Sequence, residues 1–159
     1  MKKLVIVLAL VALVLVPVAA AKNVAAIGIE LGLPTGITFD YKLDNKWDGY
    51  TTVAFGFGSV SYIDAVIGGQ YKFSDFKIDK MQWDLNAGLQ VGVNLWLGDN
   101  NGLGLAFRGT VSASHDWTWK DVGDFTIYLR GGIGYAVALS GNFTSGISPC
   151  LALGLVYHL

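Results

Sequence analysis

The stretch WDLNAGLQVGVNLWLG, residues 83–98, decides the fold because its apolar residues alternate with polar or small ones. Every odd position from Trp83 to Leu97 is apolar, and the even positions carry Asp, Asn, Gly or Gln, with Trp96 as the exception. A period of two residues is typical of a β-strand whose two faces differ chemically. The question that follows is which of the two faces points inward.

The first 21 residues have the features of a secretory signal peptide. Lys2 and Lys3 precede an uninterrupted apolar run, residues 4–16, and the small residues Ala19, Ala20 and Ala21 follow it. This run is too short for a membrane-spanning helix, so we expect cleavage after Ala21 rather than a retained anchor. A lipoprotein anchor is excluded because no Cys lies near that position. Residues 22–159 then form one domain.

The composition is unusual for an exported soluble domain. The chain is 53% hydrophobic and 14% charged, whereas typical globular proteins are about 25% charged. A net charge of −1 argues against a nucleic-acid partner, and the single Cys150 excludes an internal disulfide. Apolar stretches after the leader are interrupted too often for a membrane-spanning helix. A membrane β-barrel is the class that fits best.

The alternating pattern recurs eight times between turn-forming segments. The expected strands cover residues 24–33, 37–43, 47–57, 62–73, 83–98, 103–114, 125–139 and 150–159. The polar segments SDFKIDKMQ, residues 74–82, and HDWTWKDVGD, residues 115–124, are interpreted as connections. The fold class predicted is all-β: an eight-stranded antiparallel up-and-down transmembrane β-barrel.

All charges at mid-strand positions fall on one face of the predicted strands. They are Glu30, Asp40, Lys42, Asp64, Lys72, Asp84, Arg108 and Arg130. Each charge that faces mid-bilayer lipid costs up to about 2–4 kcal/mol. Because the costs of all eight charges would add up, this face must line the lumen if the barrel is in a membrane. A soluble lipocalin-like barrel would put the apolar face inside. Its outer surface would then need roughly 25–35% charged residues, which this chain lacks.

Aromatic residues lie at the ends of the predicted strands, where membrane barrels carry interfacial girdles. They are Phe39, Tyr41, Trp47, Phe73, Trp83, Trp117, Trp119 and Tyr157.

Two segments resemble a known family. GIELGLPTGITFDYKL, residues 28–43, and the closing LALGLVYHL, residues 151–159, look like small bacterial outer-membrane β-barrels of the outer membrane protein A and X types. The Gly-x-Pro-Thr-Gly hairpin at residues 32–36 resembles a subgroup of these proteins. The resemblance implies a monomer in the outer membrane with both termini periplasmic. Its implied partners are lipopolysaccharide, phospholipid and the barrel-assembly machinery. Such barrels usually end in an aromatic residue, whereas this chain ends in Leu159.

His115 is the candidate for catalysis, because some outer-membrane barrels modify lipids. A lipid A-modifying hydrolase of the deacylase type would need a membrane-facing His with a Ser two residues later, but Trp117 occupies that position. Ser114, His115 and Asp116 alternate between faces and cannot form a relay on a regular strand. His158 is interpreted as isolated. We expect no catalytic residue, no metal and no cofactor, since the two His and one Cys are scattered.

The lumen charges leave two interpretations open. They can form a salt-bridged plug in a closed barrel, or line a narrow porin-like channel; eight-stranded lumens are normally filled by side chains, which favours the plug. We therefore expect a structural or interaction protein of the outer membrane. The alternatives are a narrow channel and a secreted soluble lipid-binding barrel.

Overall fold

The computed structural model describes residues 24–33, 35–56, 61–97, 101–141 and 144–159. The expected signal peptide, residues 1–21, lies outside these ranges. Every regular element in them is a β-strand. No helix in the described ranges is long and apolar enough to cross a membrane.

Eight antiparallel strands form a closed ring in chain order, with β8 pairing with β1. The strands are β1 (Val24–Leu33), β2 (Thr35–Lys42), β3 (Trp47–Gly56), β4 (Ser61–Ile78), β5 (Met81–Leu97), β6 (Gly102–Trp119), β7 (Gly123–Ser140) and β8 (Gly146–His158). The prediction of eight antiparallel strands is confirmed. We call the end that holds the start of β1 and the end of β8 the terminal end, and the opposite one the far end.

Two segments interpreted as connections are largely strand, so that part of the prediction is wrong. β8 likewise begins at Gly146, four residues before its expected start. Residues 74–78 extend β4 and pair with β5, and a β-bulge between Lys72 and Ser74 shifts the alternation there. This shift hides the period of two from a sequence scan. Residues 115–119 extend β6 and pair with β7 although they are rich in polar groups. Asp79 and Asp121, both at positive φ, make the two tight turns. Both hairpins extend past the ring at the terminal end.

The strands are staggered by ten residues around the ring. A path of paired residues that starts at Tyr157 returns to the same strand at Ile147, through Ile27, Phe39, Thr51, Ile67, Val91, Phe107 and Tyr135. With strands about 4.8 Å apart and a rise of about 3.4 Å per residue, this stagger tilts the strands by about 40° from the barrel axis. A barrel of this size has room inside for side chains and little else.

The two faces of the sheet are as the alternation predicts. Leu89 on the outer wall is 74% exposed, whereas its neighbour Gln90 is 5% exposed and points into the lumen. Glu30, Asp64, Arg108 and Arg130 are all buried. The apolar face is therefore the outside of the barrel.

Candidate functional site in the barrel lumen

The centre of the lumen holds a buried cation enclosed by aromatic rings. Arg130 Nη1 lies 3.4 Å from Glu30 Oε1. The Arg130 guanidinium carbon lies 3.6 Å from the centre of the Tyr50 ring and 4.6 Å from that of Tyr128. A guanidinium against two ring faces gains cation–π attraction, which is strongest where water is excluded. The free-energy cost of burying the Arg130 charge is therefore offset by one anion, Glu30, and by the rings of Tyr50 and Tyr128.

Neutral side chains hold this central layer in place. The Tyr50 hydroxyl donates to Gln90 Oε1 at 2.8 Å, and the Thr52 hydroxyl donates to Glu30 Oε2 at 2.9 Å. Residues from β1, β3, β5 and β7 therefore meet in one network across the lumen. The cavity among them, which Glu30 and Arg130 line, measures only about 10 Å³. A space of that size holds about one water molecule.

A second ion pair lies between the central layer and the far end. Arg108 Nη2 is 3.5 Å from Asp64 Oδ2, and Arg108 Nε donates to Ser148 Oγ at 2.9 Å. Arg108 Nη1 and Asp64 Oδ1 are buried and have no hydrogen-bond partner among the described residues. Above this pair the lumen widens into a cavity of about 310 Å³, the far vestibule, with the rings of Tyr62 and Trp96 5.5 Å apart in its wall.

The terminal end holds the third ion pair. Lys72 Nζ lies 2.7 Å from Asp84 Oδ2, and both side chains are about one third exposed, at 34% and 29%. They line a polar cavity of about 200 Å³, the terminal vestibule. Lys42 and Asp40 also line it. Lys42 is exposed, and Asp40 accepts a hydrogen bond from the Thr38 hydroxyl at 3.3 Å. Six of the eight charges singled out from the sequence thus meet in three ion pairs of the described chain.

Sequence reasoning missed the two tyrosines of the central layer. Tyr50 and Tyr128 occupy positions of lumen parity on β3 and β7, and both are almost fully buried. A large aromatic residue on a face otherwise made of small and polar groups is the signal that could have identified them.

The interpretation of His158 as isolated is wrong. Its Nε2 lies 2.7 Å from the Thr126 hydroxyl, which donates to Asp116 Oδ1. The three residues come from β8, β7 and β6, and all three line the terminal vestibule. They join neighbouring strands near the end of the chain.

His115 lies on the outer wall between two indole rings. Its ring centre is 5.3 Å from that of Trp83 and 6.5 Å from that of Trp117. Its Nδ1 is 2.7 Å from the backbone oxygen of Gln82, which fixes Nδ1 as the protonated, donating nitrogen. The arrangement orients the ring within an aromatic cluster. Within the described ranges, no group of three His, Cys, Asp or Glu side chains could hold a metal ion.

Aromatic rings form an arc around the outer wall at the terminal end. Ring centres 5.1 to 6.5 Å apart link its members in two runs, Trp47–Tyr71 and Phe76–Trp83–His115–Trp117–Phe125–Tyr157. The arc covers strands β3 to β8.

No family model, no curated protein and no solved structure matches this chain. Its function must be inferred from its own lumen and outer wall.

Proposed function

We propose that this protein is a bacterial outer-membrane β-barrel with a closed lumen and a structural or interaction role, without catalysis. The observation that carries the proposal is the inverted distribution of polarity. Apolar side chains cover the outside, while the charges of Glu30, Asp64, Arg108 and Arg130 are shut inside. A protein in water gains nothing from exposing such a wall, whereas lipid is its natural solvent.

The dimensions of the wall support the same proposal. Ten residues of β1, tilted by about 40°, give a height of about 25 Å, which matches the apolar band of outer-membrane barrels. The arc of aromatic rings at the terminal end has the position of an interfacial girdle. A soluble lipid-binding barrel would need its apolar face inside, so this arrangement argues against that alternative.

The filled centre favours a closed barrel over a narrow channel. The cavity beside Glu30 and Arg130 measures about 10 Å³, and the vestibules above and below it are separated by the central layer. A continuous water path would have to displace a buried ion pair from two aromatic rings. Separating such a pair would leave two buried charges without partners, which is strongly destabilising, so spontaneous opening is a rare event.

The proposed surroundings follow from the family resemblance and the wall together. We place both termini in the periplasm, with lipopolysaccharide and phospholipid against the wall and the barrel-assembly machinery as the transient partner during insertion. The same resemblance favours a monomer. The signal peptide is part of this proposal, because insertion into the outer membrane requires export first.

Cell fractionation tests the membrane location. The full chain, expressed in a bacterium with two membranes, should sediment with the outer membrane, stay there in alkaline carbonate, and migrate differently on gels before and after boiling. Recovery of folded protein in the aqueous supernatant without detergent would contradict the proposal.

Planar-bilayer recording tests the closed lumen. The purified protein should give no single-channel steps. Steps whose size changes in Arg108→Ala would instead identify a channel and refute the closed lumen, while leaving the membrane location intact.

A further inference from the structure

Among the residues that the structure describes, β8 extends beyond β1 at the far end, which leaves an opening in the wall of the barrel there. The last pair between these strands is Leu33 with Leu151, so residues 146–150 have no partner on the β1 side among the described residues. On its other side the same segment pairs with β7, up to Gly146 opposite Ala136. Pro149 lies within the unpaired edge, where the missing N–H is tolerated. We call this opening the lateral gap.

The far vestibule reaches this gap. Its lining includes lumen residues, Tyr62, Asp64 and Arg108, and also the wall residues Leu33 and Ile147. Leu33 and Ile147 are 62% and 74% exposed, and their apolar side chains lie on either side of the gap. One cavity therefore runs from a charged floor inside the barrel to the apolar outer wall.

The ion pair at the floor of the vestibule is long and incompletely bonded. Charge-assisted N–H···O bonds are normally about 2.7–2.9 Å, whereas Arg108 and Asp64 are 3.5 Å apart. Arg108 Nη1 and Asp64 Oδ1, on side chains 5% and 2% exposed, have no hydrogen-bond partner in the described chain. Both atoms lie over Gly92, where an added Cβ would be 3.2 Å from Nη1 and 2.9 Å from Oδ1. Both atoms are buried against Gly92, which is not part of the vestibule lining, so a ligand in the vestibule reaches them by opening this long ion pair.

We propose that the vestibule and the lateral gap bind one amphiphile with a zwitterionic headgroup, of the phosphoethanolamine lipid class. Its phosphate lies against Arg108 and its ammonium against Asp64, while its acyl chains leave through the gap between Leu33 and Ile147. The inference adds a ligand site to the structural role and does not depend on that role, since binding can be measured in detergent.

The charges of the vestibule select this headgroup. Asp64 and Arg108 are the one anion and the one cation of its described lining. A purely anionic headgroup would pair with Arg108 but would leave Asp64 without a partner and be repelled by it. A purely cationic headgroup would leave Arg108 without a partner and be repelled by it in turn. A zwitterion supplies both partners. The volume of about 310 Å³ lies at the lower end of the range for small-molecule sites.

Native mass spectrometry of the full-chain protein in a nonionic detergent tests the proposal. The probes are short-chain phosphatidylethanolamine, phosphatidylglycerol with the same acyl chains, and O-phosphoethanolamine, which has the headgroup without a tail. We expect a single bound phosphatidylethanolamine, with at least about a tenfold preference over phosphatidylglycerol, a free-energy difference of about 1.4 kcal/mol. The tailless headgroup should bind much more weakly.

Two glycine variants locate the site. Gly146 lines the vestibule and has nothing within 4 Å of an added Cβ, so Gly146→Phe should fill the cavity without disturbing the fold and remove the preference. Gly109 is equally open but lies on the outer wall, so Gly109→Phe is the matched control and should bind as the parent does. The double variant Asp64→Asn/Arg108→Gln removes both charges together and should also lose the preference.

Three results would overturn the proposal. Equal binding of the two lipids would refute the zwitterion, and equal binding of O-phosphoethanolamine would refute the use of the lateral gap. An unchanged preference in Gly146→Phe would refute the location.

Discussion

The guanidinium of Arg130 lies 3.6 Å from the centre of the Tyr50 ring, with Glu30 on the same guanidinium at 3.4 Å. β3 and β7 supply the ring and the cation, and β1 supplies the anion. The closed centre of the barrel thus depends on one cation, Arg130, whose contacts join β7 to β1 and β3.

The variant Arg130→Met should lower the free energy of unfolding by about 3–5 kcal/mol, because it leaves Glu30 as a buried charge without its partner. The double variant Arg130→Met/Glu30→Gln removes both charges and should recover most of that loss. Urea unfolding of the detergent-folded protein, followed by tryptophan fluorescence, measures both. A double variant less stable than the single one would show that the pair itself carries the stability.

The variant Leu89→Arg should lower the free energy of unfolding in lipid vesicles by about 2–4 kcal/mol, since it places a charge in the middle of the outer wall. Ile78→Arg is the matched control: Ile78 is also exposed, but it lies in the β4–β5 hairpin beyond the ring. Gln90 would be a poor control, because the buried Tyr50 hydroxyl donates to it. Equal tolerance of both arginines would mean that the wall does not face lipid.

The Lys72–Asp84 pair should contribute little despite its short distance of 2.7 Å. Both side chains are about one third exposed, and water screens such pairs to about 0.2–1 kcal/mol. A double-mutant cycle with Lys72→Met and Asp84→Asn measures the coupling energy. The coupling should fall further at high salt, and a salt-independent value well above this range would indicate a far less hydrated site.

The β2–β3 turn should respond to acid through Asp44. Its carboxylate accepts hydrogen bonds from the backbone N–H groups of Lys46 at 2.7 Å and Trp47 at 2.8 Å, and these lower the pKa of Asp44 below its ordinary value. Because the folded-state pKa is the lower one, the ionised carboxylate stabilises the turn above the ordinary pKa. That contribution is lost as the pH falls through the lowered pKa.

An NMR titration of the Lys46 amide in detergent measures this response. Its midpoint should lie below the ordinary aspartate pKa, and the titration should vanish in Asp44→Asn. A midpoint at or above the ordinary value would mean that the turn does not hold the carboxylate.

The number of strands and the two faces of the sheet could be predicted from the sequence. Apolar residues alternate strictly with small or polar ones wherever one face of a strand lies against apolar surroundings. In residues 83–97 each lumen position is small or polar apart from Trp96, and that alternation needs no knowledge of tertiary contacts. The extension of β4 could not be predicted in this way. The bulge after Lys72 reverses the parity, so Phe76 and Ile78 no longer match the preceding pattern.

Only part of the lumen site could be predicted from the sequence. Parity places Glu30 and Arg130 on the same face, but it does not say that they meet across 100 residues of chain. Their contact depends on the ten-residue stagger of the strands. This stagger is the sum of the registers of all eight strand pairs, so it cannot be predicted from any local sequence pattern. The lateral gap is invisible for the same reason, since it depends on β1 and β8 ending at different levels.

Pairing of β1 with β8 also has a kinetic consequence. Ala26 and His158, 132 positions apart, are opposite one another in the final ring. Loop closure over such a separation is slow, so the ring seals after the local hairpins have formed. Until then both outer strands present unpaired backbone groups, which invite association with other chains. A nascent chain interrupted before its last dozen residues would keep those edges, and its fate would be aggregation or degradation.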